Sequence, residues 1–258
     1  MRNIVKAQFF QIVRDKVIRG MLVVALLMQV LVVLLPIWLD NEEITSAGEF
    51  FATNEGGIMM FPMFYVIVVT AQICGSDFGD KTHNYELMSG HRRWDVFGGR
   101  VIPALLFGGI GGLFLIMLPV GIYAVLYGWG SKVSFGWVFL RLILMLFPLL
   151  RMVCEFAFWT FLIKNPYGVM GFCLLVFELS MGVTEVLECH NVFLSMSNIP
   201  LLMMVSKWVT FGLGNDIHCI YDASLSGDVV WGTIIASVAF GTAALYLGYV
   251  FFKNDDMN

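Results

Sequence analysis

Residues 77–100 read DFGDKTHNYELMSGHRRWDVFGGR and form a long polar interruption between two strongly apolar stretches. The stretches on either side, 57–75 and 101–127, are long enough for helices that cross a bilayer core, which takes about 20 residues. The whole chain is 59% hydrophobic and 13% charged, whereas soluble domains are about half apolar and a quarter charged. We therefore interpret the chain as an integral membrane protein that exposes residues 77–100 at one membrane surface.

Further apolar stretches along the chain predict an all-α integral membrane protein with six transmembrane helices. Residues 1–258 form a single transmembrane domain in this interpretation, because no linker or repeat divides the sequence. The predicted spans are 20–39, 57–75, 101–127, 136–163, 168–187 and 229–252.

Lysine and arginine are concentrated in alternate connecting segments. The opposite segments contain only Lys132 and Lys207. Because basic residues are enriched on the cytosolic side, the basic segments and both termini are predicted to be cytosolic. The basic segments contain Arg2, Lys6, Arg14, Lys16, Arg19, Lys81, Arg92, Arg93, Arg100, Lys164 and Lys253.

Residues 1–19 are predicted to form a helix that lies in the inner membrane interface. Its apolar residues fall within one face, although Lys6 and Lys16 intrude on that face. The alternative is a plain cytosolic extension of the first span. The residues of the predicted apolar face are Val5, Phe9, Ile12, Val13 and Val17.

The outer segment 188–228 is unusually apolar, yet it is too short and interrupted to cross the membrane and return. We expect short re-entrant or interfacial helices here, with a single soluble loop as the alternative. Cys189 and Cys219 are a possible disulfide on the oxidising side of the membrane. No spacing typical of metal ligands occurs, so no metal site is predicted.

The polar loop at 76–100 contains a candidate short helix. Thr82 is a suitable N-cap, Tyr85 contributes to an apolar face, and Gly90 fits the position after a helix C-terminus. His91 and Arg93 then add positive charge at the membrane surface. Two interpretations remain open: a surface helix that binds a soluble partner, or a basic loop that only fixes the topology.

This loop resembles the one between the second and third spans in membrane subunits of type-two ATP-binding-cassette exporters. In those permeases an acidic residue is followed by a Gly-Thr pair, an Asn and a Gly-His-x-Arg run. Lys81 stands where the family has Gly, and Arg92 stands where it has a small residue. The order of predicted spans and of the N-terminal and outer segments is similar as well. The matching residues are Asp77, Thr82, Asn84, Gly90, His91 and Arg93.

The resemblance implies a cytosolic coupling helix within 78–92 that binds a separate ATPase subunit, of which the complex would contain two copies. ATP and Mg would be bound by that partner, because this chain has no GxxxxGK(S/T) phosphate-binding loop and no predicted catalytic residue. A second permease, identical or homologous, would complete the complex, and no nucleic acid is expected. The implied coupling residues are Asp77, Lys81, Thr82, Asn84, Tyr85, Glu86, Gly90, His91 and Arg93.

The resemblance also implies a bacterial plasma membrane and an amphipathic or hydrophobic cargo. An antimicrobial peptide or lantibiotic, handled for export or self-immunity, is the leading expectation. Multidrug, lipid or ion export is the alternative within the family. Outside it, the alternatives are a non-transporting membrane sensor or scaffold, and an intramembrane enzyme.

Charged residues inside the predicted spans form the remaining candidate site. Arg151 and Glu155 share one face of the fourth span, and Glu178 lies at a similar depth in the fifth. A charge in the bilayer costs about 3 kcal/mol, so such groups usually pair or face water. These residues either line a cargo path or lock spans four and five together. Arg141, nearer the outer end, is expected to extend its charge towards the interface.

Overall fold

The computed structural model describes residues 2–38, 45–79, 88–186, 206–210, 217–221, 225 and 227–254. The helices are α1 (Arg2–Arg14), α2 (Lys16–Trp38), α3 (Ala47–Thr53), α4 (Glu55–Gly79), α5 (Arg93–Ala104), α6 (Gly111–Tyr127), α7 (Phe135–Ile163), α8 (Pro166–Val186) and α9 (Gly227–Lys253). A π-helical segment, Leu105–Ile110, joins α5 to α6 without a break. Two short strands, β1 (Ser206–Thr210) and β2 (Ile217–Tyr221), pair antiparallel.

Among the described residues, five helical stretches are long and apolar enough to cross a membrane. The chain is therefore a predominantly helical, multi-pass membrane protein. Helix α8 covers the predicted fifth span, but its described apolar part, Pro166–Val176, is shorter than the other five. A sixth crossing remains a prediction. The five stretches are Lys16–Trp38, Gly57–Ser76, Arg93–Tyr127, Phe135–Ile163 and Gly227–Lys253.

Side-chain caps fix where two of these helices begin. Asp15 accepts hydrogen bonds from the backbone N–H groups of Val17 at 2.7 Å and Ile18 at 3.2 Å, which caps the first turn of α2. Asn165 caps α8 in the same way, and Pro166 occupies the first helical position, where its missing N–H costs nothing. Both starts therefore follow from local sequence.

Helices α4 and α7 form the centre of the bundle. Helix α4 packs against α2, α5, α6, α7 and α8, while α9 packs chiefly against α7. Small residues let the π-helical segment and α6 approach this centre: a Cβ at Gly108 would lie 3.0 Å from Val153, and one at Gly112 would lie 2.7 Å from Val66. These glycines therefore serve packing within the subunit.

The ends of the bundle differ in charge, and we call the end where α2 begins and α4, α7 and α9 finish the basic end. At this end Gln72 donates a hydrogen bond of 3.1 Å from Nε2 to Asp15 Oδ2. Helix α4 continues for seven residues beyond Gln72 to Gly79, roughly 10 Å at 1.5 Å per residue. The basic end therefore extends beyond the junction of α1 and α2.

Helix α1 packs along α5 at the basic end, with Phe9 and Phe107 ring centroids 5.3 Å apart. Of its predicted apolar face, Ile12 is buried, whereas Val13 is 63% exposed and Val17 is 37% exposed, so this face is not the one that packs against the bundle. The interfacial helix remains a prediction. The packing against α5, where Gly99 makes room for Ile4, selects a different stripe at spacing i, i+4 and i+8. The buried stripe consists of Ile4, Gln8 and Ile12.

Within the segment 188–228, residues 206–210 and 217–221 form the antiparallel pair β1–β2, which the apolar pattern does not predict. Short helices elsewhere in this segment, and its outer location, remain predictions. The sequences SKWVT and IHCIY are rich in β-branched and aromatic residues, which favour a pleated strand. Cys219 lies opposite Trp208 in the register. Cys189 lies outside the described residues, so the Cys189–Cys219 disulfide remains a prediction.

Candidate functional site

An aromatic cluster fills the basic end of the bundle and joins four helices. Phe97 of α5 lies at its centre, 4.8 Å from Phe161 of α7 and 5.5 Å from Tyr249 of α9, measured between ring centroids. Phe78 near the end of α4 packs edge-on against Phe161, with centroids 6.0 Å apart. Phe252 of α9 is a further neighbour of both Phe97 and Phe161. Rings packed at these distances hold the four helices against one another.

We call this part of the molecule the foot: α5, the last turn of α4 and the last turns of α7 and α9. Arg93 stabilises the foot, because its guanidinium donates hydrogen bonds to the backbone carbonyl oxygens of Phe252 and Lys253. These carbonyls belong to the end of α9, where backbone acceptors lack helical partners and positive charge is favourable. Arg93, predicted to contact a partner, therefore links α5 to α9 within the chain.

The residues that lead into α5, together with its first turn, form an exposed strip beside Arg93. We call it the docking strip, and it consists of Met88, His91, Arg92 and Trp94. Met88 is 76% exposed and Trp94 is 55% exposed. Gly90 precedes α5 at a φ of +89°, a left-handed conformation that other residues adopt at a cost. The strip combines two large apolar side chains with positive charge, a composition suited to binding a soluble partner.

Most of the predicted coupling helix lies outside the described residues. Asp77 is in the last turn of α4, and nothing is described of its side chain. Gly90, His91 and Arg93 are described and lie together at the foot. The coupling helix therefore remains a prediction. The segment that would contain it connects the end of α4 to the start of α5. The predicted coupling residues outside the description are Lys81, Thr82, Asn84, Tyr85 and Glu86.

The predicted charge pair within the spans is present. Arg151 Nε donates to Glu155 Oε1 at 2.7 Å, and both lie on α7. The Arg151 guanidinium also lies 4.5 Å from the ring centroid of Phe240 on α9, within cation–π distance. A Cβ at Gly241 would be 3.6 Å from the Arg151 backbone, so the two helices are close here. The pair therefore joins α7 to α9, the fourth and last predicted spans.

Glu178 lies in α8, and nothing is described of its side chain. Its part in a lock between spans four and five, or in a cargo path, remains a prediction. The described contacts of Arg151 instead favour a lock towards α9.

Two further arginines are buried. Arg141 is 1% exposed, so the expectation that its charge extends to the interface is wrong. Helical spacing places it on the same face of α7 as the buried Met145 and Pro148, which faces the bundle. Arg100 is fully buried on α5, although the sequence presented it only as a topology-setting charge. The sequence feature that could have indicated this burial is the apolar residue four positions away on either side, Val96 and Ala104.

The opposite end of the bundle contains an ion pair that the sequence did not predict. Glu49 of α3 is 1% exposed, and its Oε1 lies 2.5 Å from Lys132 Nζ in the loop before α7. Thr45 donates to Glu49 Oε2 from its backbone N–H at 2.9 Å and its hydroxyl at 2.8 Å. Burial alone would raise the pKa of Glu49, but these hydrogen bonds and the Lys132 charge hold it below its ordinary value of 4.5.

This lowered pKa predicts a loss of stability in acid. Because the folded state favours the Glu49 carboxylate, its contribution is complete above the unfolded pKa and is lost as pH falls through the lower folded pKa. Wild type should therefore be more thermostable than Glu49→Gln at pH 7, with the difference shrinking below pH 4.5. Thermal unfolding of the purified protein across this range is the measurement. Lys132→Met should reduce the pH-dependent difference, and an unchanged difference in that variant would contradict the assignment.

The fold is that of a multi-pass helical membrane protein whose basic end joins four helices through an aromatic cluster and exposes Met88 and Trp94. Within the described part of the chain, no group of three or more His, Cys, Asp and Glu residues is arranged to hold a metal ion. Comparison of the sequence with protein-family models and with curated proteins gave no match. The function therefore has to be inferred from the site.

Proposed function

We propose that this chain is the membrane subunit of an ATP-driven exporter of the ATP-binding-cassette type, as the resemblance of the loop at 76–100 implies. The observation that carries the proposal is the contact between the docking strip and the aromatic cluster of the foot. The ring centroid of Trp94 lies 6.0 Å from that of Phe97 and 4.7 Å from that of Tyr249, and the cluster joins four helices. A partner that displaces the strip would move these helices together. A transporter requires such a connection, whereas a loop that only fixes topology does not.

In this proposal a coupling helix within 78–92 binds the ATPase, and ATP and Mg remain on that partner. The segment continues directly into α4 on one side and α5 on the other. Displacement at α5 passes along the unbroken helix through the π-helical segment to α6. Arg93 carries the same displacement to the end of α9 through its two carbonyl contacts. Short π-helical segments occur frequently at functional sites, which agrees with a moving part here.

The proposed complex contains two ATPase subunits and two permeases, identical or homologous, in a bacterial plasma membrane. Each permease has six spans and cytosolic termini. The cargo is hydrophobic or amphipathic, with an antimicrobial peptide or lantibiotic as the leading candidate and drugs, lipids or ions as the alternative. The Arg151–Glu155 pair acts as a structural lock in this proposal, because its described contacts hold α7 against α9.

A membrane sensor or scaffold is the second candidate. The same exposed Met88, Arg92 and Trp94 would serve a soluble partner that binds no nucleotide. The two candidates therefore predict different partners at one surface.

Purification of the chain from its own membrane in mild detergent, followed by mass spectrometry, separates these candidates. A co-purifying P-loop ATPase would support the exporter, and a second multi-pass chain would indicate a mixed permease pair. Recovery of a partner without a nucleotide site would favour the sensor or scaffold. Recovery without any partner, under conditions that preserve known transporter complexes, would contradict the exporter.

Neighbouring arginines at the foot provide a matched pair of variants. Arg92→Glu should weaken binding of the ATPase about tenfold, because it reverses an exposed charge at the rim of the docking strip. Its melting temperature should remain that of wild type. Arg93→Ala should lower the free energy of unfolding by about 1.5 kcal/mol, because it removes charge-assisted hydrogen bonds to α9.

Binding of the purified ATPase to the reconstituted chain and thermal unfolding are the two measurements. Lys6→Glu, a charge reversal at the basic end but outside the docking strip, serves as the binding control. Equal ATPase affinity in wild type and Arg92→Glu would count against the docking strip. An unchanged melting temperature in Arg93→Ala would count against the link between α5 and α9.

A further inference from the structure

The junction of α1 and α2, which we call the elbow, exposes positive charge beside apolar side chains. Lys6, Phe10 and Val13 follow one another on α1 at spacing i, i+4 and i+7, which places them on one face. This face lies away from the stripe that packs against α5. Phe10 is 60% exposed and Val13 is 63% exposed. Arg14, Lys16 and Arg19 are exposed around the same junction.

The sequence around the elbow offers little negative charge to balance these cations. Asp15 is the only acidic residue in the sequence before residue 39. Its Oδ1 accepts the backbone N–H groups that begin α2, and its Oδ2 accepts Gln72 Nε2 at 3.1 Å. Within the described part of the chain, Lys6 and Lys16 take part in no ion pair. Their charges are therefore available to a ligand outside the chain.

Internal contacts hold the two arginines in place at the elbow. Arg19 Nη2 donates to the Arg14 carbonyl oxygen at 3.0 Å, across the break between the helices. The Arg14 guanidinium lies 4.0 Å from the centroid of the Phe10 ring. These contacts fix positive charge next to an exposed aromatic ring. A ligand here would bind to a partly preorganised surface, which reduces the entropy lost on binding.

We propose that the elbow binds anionic phospholipid, with the headgroup phosphate at Arg14, Lys16 and Arg19 and the acyl boundary at Phe10 and Val13. Basic residues next to exposed apolar side chains fit the interface of a bilayer, where anionic headgroups lie directly above acyl chains. The hydrogen bond from Gln72 to Asp15 joins the elbow to the central helix α4. This proposal does not depend on an exporter function, since it needs only the membrane around the chain.

Titration of the full-length chain in mild detergent with dioleoyl phosphatidylglycerol, dioleoyl phosphatidylcholine or inorganic phosphate tests the proposal. Native mass spectrometry counts retained lipid, and thermal unfolding reports its effect. Phosphatidylglycerol should be retained and should raise the melting temperature more than phosphatidylcholine does. Lys6→Gln/Lys16→Gln should weaken retention of phosphatidylglycerol roughly tenfold, because each cation near an anionic surface contributes to binding.

The control variant is Arg92→Gln/Lys253→Gln, which removes two exposed cations at the basic end but away from the elbow. It should retain phosphatidylglycerol as wild type does. The side chains of Lys6 and Lys16 form no hydrogen bond within the described residues, so their variant should fold with an unchanged melting temperature without lipid. A second variant, Lys6→Gln/Arg14→Gln, repeats the test with a different pair.

Four results would overturn the proposal. Equal retention of phosphatidylglycerol by wild type and both elbow variants would exclude the elbow as its site. Equal effects of phosphatidylcholine would show that negative charge is not recognised, and equal effects of inorganic phosphate would indicate a free-anion site. A change in oligomeric state of the elbow variants without lipid would indicate a protein contact instead.

Discussion

Replacing Glu155 with leucine is expected to lower the free energy of unfolding by about 3 kcal/mol. The substitution removes the carboxylate that accepts from Arg151 Nε at 2.7 Å, while the Arg151 side chain stays 5% exposed within the bundle. Removing one partner of a buried pair costs more than the pair contributes, because the remaining charge keeps its desolvation penalty. Unfolding of the purified protein in detergent by a denaturant series is the measurement.

The double variant Arg151→Leu/Glu155→Leu is the matched control. It removes both charges, so it should recover much of the stability that Glu155→Leu loses. Phe240→Leu tests the contact with α9 separately and should cost about 1 kcal/mol by loss of the cation–π interaction. If Glu155→Leu were as stable as wild type, the pair would not be a structural lock. The alternative, in which the pair lines a cargo path, would then be favoured.

The positions of the membrane-crossing helices could be predicted because hydropathy is a local property of the sequence. The predicted spans 57–75 and 136–163 agree with Gly57–Ser76 and Phe135–Ile163 to within a residue. The third predicted span, 101–127, lies within a longer helical stretch that begins at Arg93. The sequence underestimates it because Arg93, Asp95 and Arg100 resemble a loop in composition. These residues nevertheless continue the helix, where tertiary contacts accommodate them.

Long-range contacts could not be predicted from the sequence. Glu49 and Lys132 are far apart in the chain, and each resembles an ordinary residue of an outer loop until α3 brings them together. The depth of Arg141 alone predicts an interfacial charge, but the face of α7 on which it lies decides its burial. At the outer segment, hydrophobicity alone predicts interfacial helices, whereas the β-propensity of the two strands favours the hairpin.

At the candidate site, the sequence indicated the segment but not its attachment to the bundle. The loop pattern singles out Gly90 and His91, and both lie beside the start of α5. Phe97, Phe161 and Phe252 are indistinguishable in sequence from the many lipid-facing phenylalanines of the chain. Their meeting depends on how α5, α7 and α9 pack. Local patterns therefore located the exposed segment, whereas the contacts of Trp94 with Tyr249 and of Phe97 with Phe161 depend on tertiary structure.

Replacing Gly130 with alanine is expected to destabilise the opposite end of the bundle by about 3 kcal/mol, from backbone strain and overpacking together. Gly130 has a φ of +79°, and a Cβ there would lie 2.5 Å from both Cβ and Oγ of Ser46. Ser46 caps α3 and cannot swing away as a long side chain would. The overlap should therefore push α3 off the neighbouring loop, where the Ala47 N–H donates to the Gly128 carbonyl oxygen at 3.1 Å.

Gly90→Ala is the matched control. Gly90 has a similar φ of +89°, but no atom of the described residues lies within 4 Å of the position that an alanine methyl group would occupy. Gly90→Ala should lower the free energy of unfolding by about 1 kcal/mol, because it introduces backbone strain without overpacking. Thermal unfolding of both variants measures the difference, and hydrogen exchange at Ala47 and Gly48 reports whether α3 has separated from the loop. Equal losses of stability in the two variants would mean that Ser46 moves aside at little energetic cost. The close contact between Gly130 and Ser46 would then contribute little to holding α3 in place.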